Sequence, residues 1–238
     1  MKAISRSEAP AFICNLLQKK GRVRALREEL SARVVAKALG QTTGFLYHHW
    51  GSFDGFLFEV SGIGWKRLVD TVVEAYERSE GDPRSIVFAY IDFAAENPVL
   101  YWLLAERPLS ADVVQSTLAS GELPSFAAFL DYFKLVKSVE PTTTIASARA
   151  MHAAAHGLAS QLLSGRLGST PDTVGRDERE VAREAAQVIA DVFFPTASKA
   201  RGQRSPAHDP KAAPPSRQRT TRPGSSSARS RSKKTTGT

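Results

Sequence analysis

The chain has 238 residues, of which 42% are hydrophobic and one, Cys14, is a cysteine. Its apolar stretches are short and interrupted by charge, so none supplies the roughly 18 apolar residues that a membrane span needs, and one cysteine excludes an intramolecular disulfide and a cysteine-rich zinc site. We therefore expect a soluble cytoplasmic protein of one or two domains, without a secretory signal.

Charge divides the chain into three parts. Residues 1–60 carry nine Lys and Arg against five Asp and Glu, residues 61–194 carry twelve against eighteen, and residues 195–238 carry eleven against one. A basic start, an acidic middle and a strongly basic end indicate contact with a polyanion at one end or both. The alternative for the basic end is a solubilising extension.

Helix signals follow one another from residue 8 to residue 194, and no alternating strand pattern interrupts them. Asp82-Pro83 is typical of a helix start, and Asn97-Pro98 and Glu140-Pro141 of further breaks or starts. The predicted helices are 8–20, 31–38, 42–48, 52–79, 83–96, 98–106, 110–119, 123–138, 141–165 and 174–194. The chain is predicted to be all-α, with a head (1–60), a helical body (61–196) and a disordered basic tail (197–238).

The head carries two short helices separated by a glycine. Ser31 can cap the first helix, which is expected to bury Val34, Val35 and Ala38, and Gly40 follows where the chain must turn with positive φ. Thr42 can then cap the second helix. A helix, a tight turn and a second helix with a small polar start predict a helix-turn-helix.

This stretch, Leu30 to Val60, resembles the TetR family of bacterial transcriptional regulators. The likeness rests on the segment AKALG at 36–40, on Leu46-Tyr47, on the aromatic Trp50 and on a long helix that starts at Ser52. The segments IDFAAENPVLYWLL (91–104) and MHAAAHGLASQLLSGRL (151–167) are similar to the regulatory domain of a TetR subgroup. The resemblance implies a homodimer with two DNA-reading heads and a helical core that holds an effector.

The resemblance also implies which residues of the head contact DNA. Phe45 is a candidate for contact with a thymine methyl group, with core packing as the alternative, and Tyr47 is expected to pack its ring while its hydroxyl reaches a phosphate. Leu46 and Trp50 are assigned to the core of the head. The candidate DNA contacts in and around the second helix are Ser31, Thr42, Thr43, Gly44, Phe45, Tyr47 and His48.

One departure from the family pattern adds two further candidates. Family members commonly carry a phosphate-facing Lys just after the Ser that opens the fourth helix, where this chain has Phe53. Arg22 and Arg24 lie upstream in a basic stretch. We expect these two arginines to supply the phosphate contact instead.

Aromatic residues gather in the predicted helices of the body, where clefts between helices commonly hold ligands. Filling of the core is the alternative interpretation of the same residues. The candidate ligand contacts are Phe93, Tyr101, Trp102, Phe129, Phe133 and His156.

Two histidine pairs are candidates for metal sites. His48 and His49 diverge by about 100° on a helix, whereas His152 and His156 share one face at i, i+4, and a zinc hydrolase would need a third ligand and a general base as well. The residues between the second pair are alanines, so packing at a pocket wall or a dimer seam is the favoured interpretation. No catalytic constellation is found, and we predict neither metal nor cofactor nor enzymatic activity; a metal-dependent enzyme using His152 and His156 is an alternative.

Small residues dominate the stretch from Ser147 to Ser160, so two helix backbones can approach closely there. The apolar positions from Val181 to Val192 recur on one helix face. Together they predict one half of a four-helix bundle that a second subunit completes, although the small face could also pack within its own chain.

The combined prediction is a dimeric, cytoplasmic regulator that is associated with the nucleoid when bound to DNA. We expect a repressor that binds a double-stranded DNA operator and leaves it when a small apolar or amphipathic ligand binds the body. The alternative is an architectural nucleoid-type protein whose head and tail coat DNA.

Overall fold

The computed structural model describes residues 3–18, 30–108, 110–120, 124–139 and 143–195. Within these ranges every regular element is a helix, so the all-α prediction is confirmed. No helix in the described part of the chain combines the length and apolar composition that a membrane crossing needs. Arg22, Arg24 and the tail lie outside the described residues, as does the side chain of Phe129.

The helices follow the predicted order. The head contains three described helices, a long helix leads from the head into the body, and the remaining helices belong to the body. They are α1 (Ala9–Gln18), α2 (Ala32–Leu39), α3 (Thr43–Trp50), α4 (Phe53–Arg78), α5 (Ser85–Glu96), α6 (Pro98–Tyr101), α7 (Ala111–Ser120), α8 (Pro124–Val139), α9 (Ile145–Leu163) and α10 (Glu178–Phe193).

Three predicted helix starts were wrong for local reasons. The helix expected from residue 141 begins at Ile145, where Thr144 accepts a hydrogen bond from the N–H of Ser147 at 3.0 Å. The helix expected from residue 83 begins at Ser85, because the Asp82 carboxylate binds the Arg84 side chain and backbone N–H instead of capping a helix at Pro83. The helix expected from residue 174 begins at Glu178, where Asp177 accepts a hydrogen bond from the N–H of Arg179.

The predicted helix 98–106 is not one continuous α-helix. After the single turn of α6, residues Trp102–Glu106 adopt π-helical geometry, and the segment ends at Arg107 with extended backbone. π-helical turns are rare and occur frequently at functional sites. We refer to Trp102–Glu106 as the π-turn.

Helix α4 forms the centre of the molecule. It packs against α1 and α3 of the head and against α5, α8 and the π-turn of the body. Phe56 in the first half of α4 and Leu68 in its second half are both 0% exposed. Full burial of a side chain of this size contributes roughly 1.5–3 kcal/mol. The buried residues of head and body belong to one continuous hydrophobic core, and α4 runs through it.

Helix α10 packs against the core through a face of small residues that lies beside the apolar positions from Val181 to Val192. The residues that pack against α5 and α9 are Ala182, Ala186 and Ala190, each 0% exposed. Val188 and Val192 are 63% and 67% exposed. The alanines allow close helix approach, Val181 and Ile189 are partly buried against the core, and Val188 and Val192 are left on the outside.

Candidate nucleic-acid interface and ligand site

The turn between α2 and α3 has most of the predicted cap geometry. Ser31 is extended and its Oγ accepts a hydrogen bond from the N–H of Val34 at 3.4 Å, while Gly40 turns the chain with φ 66° and ψ 29°. A positive φ of this kind favours glycine. Thr42 occupies the N-cap position of α3, but its hydroxyl accepts no cap hydrogen bond, so the predicted side-chain cap is wrong.

The buried face of α2 differs from the predicted set of Val34, Val35 and Ala38, of which only Val35 is fully buried. Val35, Ala36 and Leu39 are at most 2% exposed, whereas Val34 is 44% exposed. Ala38 is half-buried. Since Val35, Ala36 and Leu39 stand at i, i+1 and i+4, they form the inner face, and Val34 lies beside it.

Helix α3 presents small and polar side chains to solvent. Gly44, Tyr47 and His48 are exposed, and their spacing places them on one face of the helix. Leu46, on the opposite side, is 0% exposed, as expected for a core residue. Thr43 is half-buried at the edge of the exposed face.

The position of Phe45 is compatible with both interpretations of the sequence, contact with DNA and packing in the core. Its side chain is half-buried and packs against the core of the head. The ring centroid lies 4.7 Å from that of His49 and 5.8 Å from that of Trp50, in edge-to-face arrangements. The residue therefore holds the inner edge of α3 and leaves part of its ring at the surface.

Trp50 fixes the end of α3 to α4. Its indole N–H donates to Glu59, and its ring meets Phe56 edge-on at 4.9 Å. The Arg6 guanidinium lies 6.0 Å from the Trp50 ring centroid, within the range of a cation–π contact. Desolvation and the neighbouring charges of His48 and Arg6 lower the pKa of His49.

The head also exposes basic side chains that sequence reasoning missed. Arg33 and Lys37 are exposed one turn apart on α2, and Arg6 is exposed in the segment before α1. That segment is tied to the turn: the N–H of Ile4 donates to Leu39 O at 3.0 Å, and Gln41 Nε2 donates to Ile4 O at 2.8 Å. The i, i+4 spacing of Arg33 and Lys37 could have indicated from the sequence that both basic side chains lie on one face of α2.

In the body, a chain of hydrogen bonds links three helices. The hydroxyl of Tyr90 on α5 lies 3.1 Å from the hydroxyl of Tyr101 on α6, which lies 2.7 Å from Nδ1 of His156 on α9. Burial raises the pKa of both tyrosines, so they remain uncharged. A neutral His156 can accept at Nδ1 from Tyr101, which leaves Nε2–H as a donor.

Further rings close around this chain. Tyr132 is 0% exposed, and its hydroxyl has no hydrogen-bond partner among the described residues. The ring centroid of His152 lies 5.5 Å from those of Tyr90 and Tyr132, and its ring stacks on His156 at 6.3 Å. Burial, followed by the nearby charge of His156, lowers the pKa of His152 to about 4. We call Tyr90, Tyr101, Tyr132, His152 and His156 the tyrosine–histidine cluster.

The candidate ligand contacts do not all meet. Tyr101 and His156 belong to the tyrosine–histidine cluster, and the ring of Phe133 lies 5.6 Å from that of His152. Trp102 is half-buried in the π-turn. Phe93 instead lines surface grooves between α4 and α5.

The sequence list missed Tyr90, Tyr132 and His152 as members of the cluster. The i, i+4 spacing of His152 and His156 was the only sequence signal for their contact. Among the described residues, no group of three or more His, Cys, Asp and Glu is placed to hold a metal ion.

Comparison with known proteins supports the same architecture. Residues 84–183 match the model of the tetracyclin repressor-like, C-terminal domain family. A search of curated proteins gives no match. The fold is similar to that of a protein of unknown function from Rhodococcus sp. RHA1, at 18% identity and a TM-score of 0.51, over 77% of this chain and 94% of that one.

Two other solved structures align over 78% of this chain. One is the regulatory protein SCO4313, at 18% identity over 98% of its length with a TM-score of 0.46. The other is the TetR family transcriptional regulator PfmR from Thermus thermophilus, at 24% identity over 97% of its length with a TM-score of 0.41. Residues 84–183 are thus similar to the C-terminal domain of tetracyclin repressor-like proteins, which agrees with the resemblance of the helix-turn-helix head to the TetR family.

Proposed function

We propose that this regulator is a dimeric, sequence-specific repressor that a small amphipathic molecule releases from its operator. The single observation that carries the proposal is the exposed face of α3. It follows a glycine turn, begins with small residues and is fixed from behind by Leu46 and Trp50. This is the arrangement in which a helix-turn-helix inserts its second helix into the major groove.

Each exposed residue of α3 has a role that its position permits. Gly44 lets the first turn approach the DNA closely, and the amide groups of that turn can bind a phosphate. Thr43 and the surface edge of Phe45 are placed to contact base edges, and Tyr47 and His48 to contact the backbone. Phosphate contacts position the protein, whereas base contacts supply the specificity.

Basic side chains around α3 supply the remaining attraction to DNA. Arg33, Lys37 and Arg6 are exposed on the head, and Arg22 and Arg24 remain candidates from the sequence. The tail adds ten net positive charges and contributes sequence-independent affinity that weakens with salt.

The dimer interface is proposed to consist of α9 and α10. The exposed face of α9 carries Ala150 and Ala153, and next to them a Cβ atom on Gly157 would meet nothing within 4 Å. On α10, Val188 and Val192 are exposed although they are large and apolar. A second copy related by twofold symmetry would cover both faces and place two heads on one operator.

The effector is proposed to bind at the tyrosine–histidine cluster. A buried hydroxyl without a hydrogen bond destabilises a fold by roughly 1–3 kcal/mol, so a ligand atom that pairs with the Tyr132 hydroxyl would recover part of that loss. The surrounding rings favour an apolar remainder. Release of DNA requires that the ligand binds the DNA-incompetent arrangement more tightly.

Selection of binding sites from a pool of random double-stranded DNA tests the proposal. A dimeric repressor should enrich a short inverted repeat, and footprinting should show protection limited to it. If no sequence is enriched and protection extends along the whole DNA, the protein coats DNA as an architectural protein and the proposal is wrong.

A further inference from the structure

An ion pair connects the end of the π-turn to the start of α4. The Arg107 guanidinium, just after the π-turn, pairs with the carboxylate of Asp54 in the first turn of α4. The Arg107 side chain is 20% exposed and that of Asp54 is 40% exposed. Arg107 is thus well covered for an arginine, and the pair bridges 53 positions of the sequence.

Asp54 lies in the first turn of α4, next to the end of α3, so a movement of this turn must also move α3. Only Gly51 and Ser52 separate the two helices, and Ser52 caps α4 by accepting from the N–H of Gly55 at 2.9 Å. A Cβ atom on Gly55 would lie 2.5 Å from the carbonyl oxygen of Trp50. The end of α3 and the first turn of α4 therefore pack backbone against backbone.

The π-turn is held on its other side by α9. Before it, the Tyr101 hydroxyl is hydrogen-bonded to His156, and at its end Glu106 accepts a hydrogen bond from the hydroxyl of Ser160. His156 and Ser160 are one helical turn apart. The segment that carries Arg107 is therefore fixed at both ends to the helix that contains the two histidines.

We propose that the Arg107–Asp54 pair is a latch through which the body holds the reading head. The proposal rests on the proposed function, since it concerns how that head is positioned on DNA. Conversion of the five-residue π-turn to α-helix would rotate Arg107 by roughly a quarter turn and withdraw it from Asp54. Without the ion pair, each head moves more freely relative to the body. The two heads of a dimer then lose more conformational entropy when they bind one operator.

The charges of the two residues allow a sharp test by substitution. If the two residues acted only through their electrostatic attraction to DNA, the two substitutions would change DNA affinity in opposite directions. Arg107→Gln removes a positive charge and would weaken binding, whereas Asp54→Asn removes a negative charge and would strengthen it. The latch predicts that both variants weaken binding to the selected inverted repeat by about threefold, with no further loss in the double variant. Arg183→Gln is the matched control, since it breaks the exposed Arg183–Asp92 pair between α10 and α5, which involves neither the π-turn nor the head.

Hydrogen exchange tests the latch without DNA. In Arg107→Gln and in Asp54→Asn, amides of α3 and of the first turn of α4 should exchange about threefold faster than in the parent, while Arg183→Gln leaves them unchanged. Unchanged exchange in both variants, opposite effects on operator affinity, or additive losses would overturn the latch. These results would leave the repressor proposal intact, which fails only if the parent selects no sequence.

Discussion

The Tyr101 hydroxyl lies 2.7 Å from Nδ1 of His156 and joins the short helix α6 to α9 inside the body. Through Tyr90 the same hydroxyl also connects to α5. One buried phenol thus joins the consecutive helices α5 and α6 to α9, which is distant from them in sequence. The neighbouring Tyr132 is buried equally well but its hydroxyl has no partner among the described residues.

This contrast between two buried tyrosines gives the first prediction. Tyr101→Phe should lower the free energy of unfolding by roughly 1–3 kcal/mol, because it removes two hydrogen bonds and deprives the buried Tyr90 hydroxyl and the partly buried His156 of this partner. Tyr132→Phe should leave stability unchanged or raise it. Urea unfolding of both variants measures the difference, and an equal loss in Tyr132→Phe would show that its hydroxyl is paired.

The second prediction concerns the pH dependence of stability. The pKa of His152 falls from 6.5 to about 4 on folding, so between these values the unfolded chain binds a proton that the folded chain does not. The contribution of His152 is therefore fully present above pH 6.5 and is lost as the pH falls to about 4, by at most about 3 kcal/mol.

His152→Leu should remove this part of the pH dependence. Urea unfolding at pH 7 and at pH 4.5 should show a smaller loss of stability in the variant than in the parent. Equal losses would mean that His152 is protonated in the folded protein at the lower pH.

The helix-turn-helix could be predicted closely because its signals are local. Ser31 and Gly40 determine where α2 begins and ends through their own backbone and side-chain geometry. The inner face of α2 was placed with an error at Val34, since a helix of eight residues fits two neighbouring apolar faces almost equally well. Tertiary packing of Val35 and Leu39 decides between them.

The candidate ligand site was harder to predict, because its members come from separate helices. His152 and His156 show their proximity by spacing, but nothing in the sequence pairs Tyr101 with His156 across 55 positions. The π-turn was also missed, since its residues have ordinary helix propensities. The Arg107–Asp54 pair depends on that turn and could not be expected without it.

The third prediction concerns the dimer interface. Gly157→Arg should leave the subunit folded, because its Cβ meets nothing within 4 Å and arginine favours helix more than glycine does. The charged side chain should nevertheless prevent a second copy from packing on α9. Light scattering should show a dimeric parent and a monomeric variant, with Ser138→Arg on the exposed side of α8 as the dimeric control.

A monomeric parent, or an unchanged dimer in Gly157→Arg, would show that the interface lies elsewhere. Circular dichroism of the variant separates loss of the dimer from loss of the fold.

The fourth prediction compares two glycines near the reading helix. Gly44→Ala should stabilise α3 by up to about 1 kcal/mol, since the added Cβ meets only Thr42 Oγ1 at 3.6 Å. The same methyl group should weaken DNA binding, because it stands where the helix start approaches the DNA. Gly55→Ala should instead destabilise the protein, because its Cβ would lie 2.5 Å from a backbone oxygen.

For Gly44→Ala, the melting temperature should therefore rise while the affinity for DNA falls. A variant that is more stable and binds DNA as tightly as the parent would place the start of α3 away from the DNA.

The fifth prediction addresses the central claim, that α3 reads a DNA sequence. The measurement is the ratio of affinities for the selected inverted repeat and for random DNA, taken by fluorescence anisotropy at one salt concentration. Loss of a good base contact should reduce discrimination by roughly 1–3 kcal/mol, whereas loss of a phosphate contact should weaken both affinities by similar factors. Lys37→Gln, on the exposed face of α2, is the phosphate-type control.

We predict a parent that strongly prefers the repeat, folded Thr43→Ala and Phe45→Ala variants whose ratio falls toward one, and a Lys37→Gln variant that keeps the parent's ratio with weaker binding. A parent ratio near one, or a folded α3 variant that retains the parent's preference, would contradict the account.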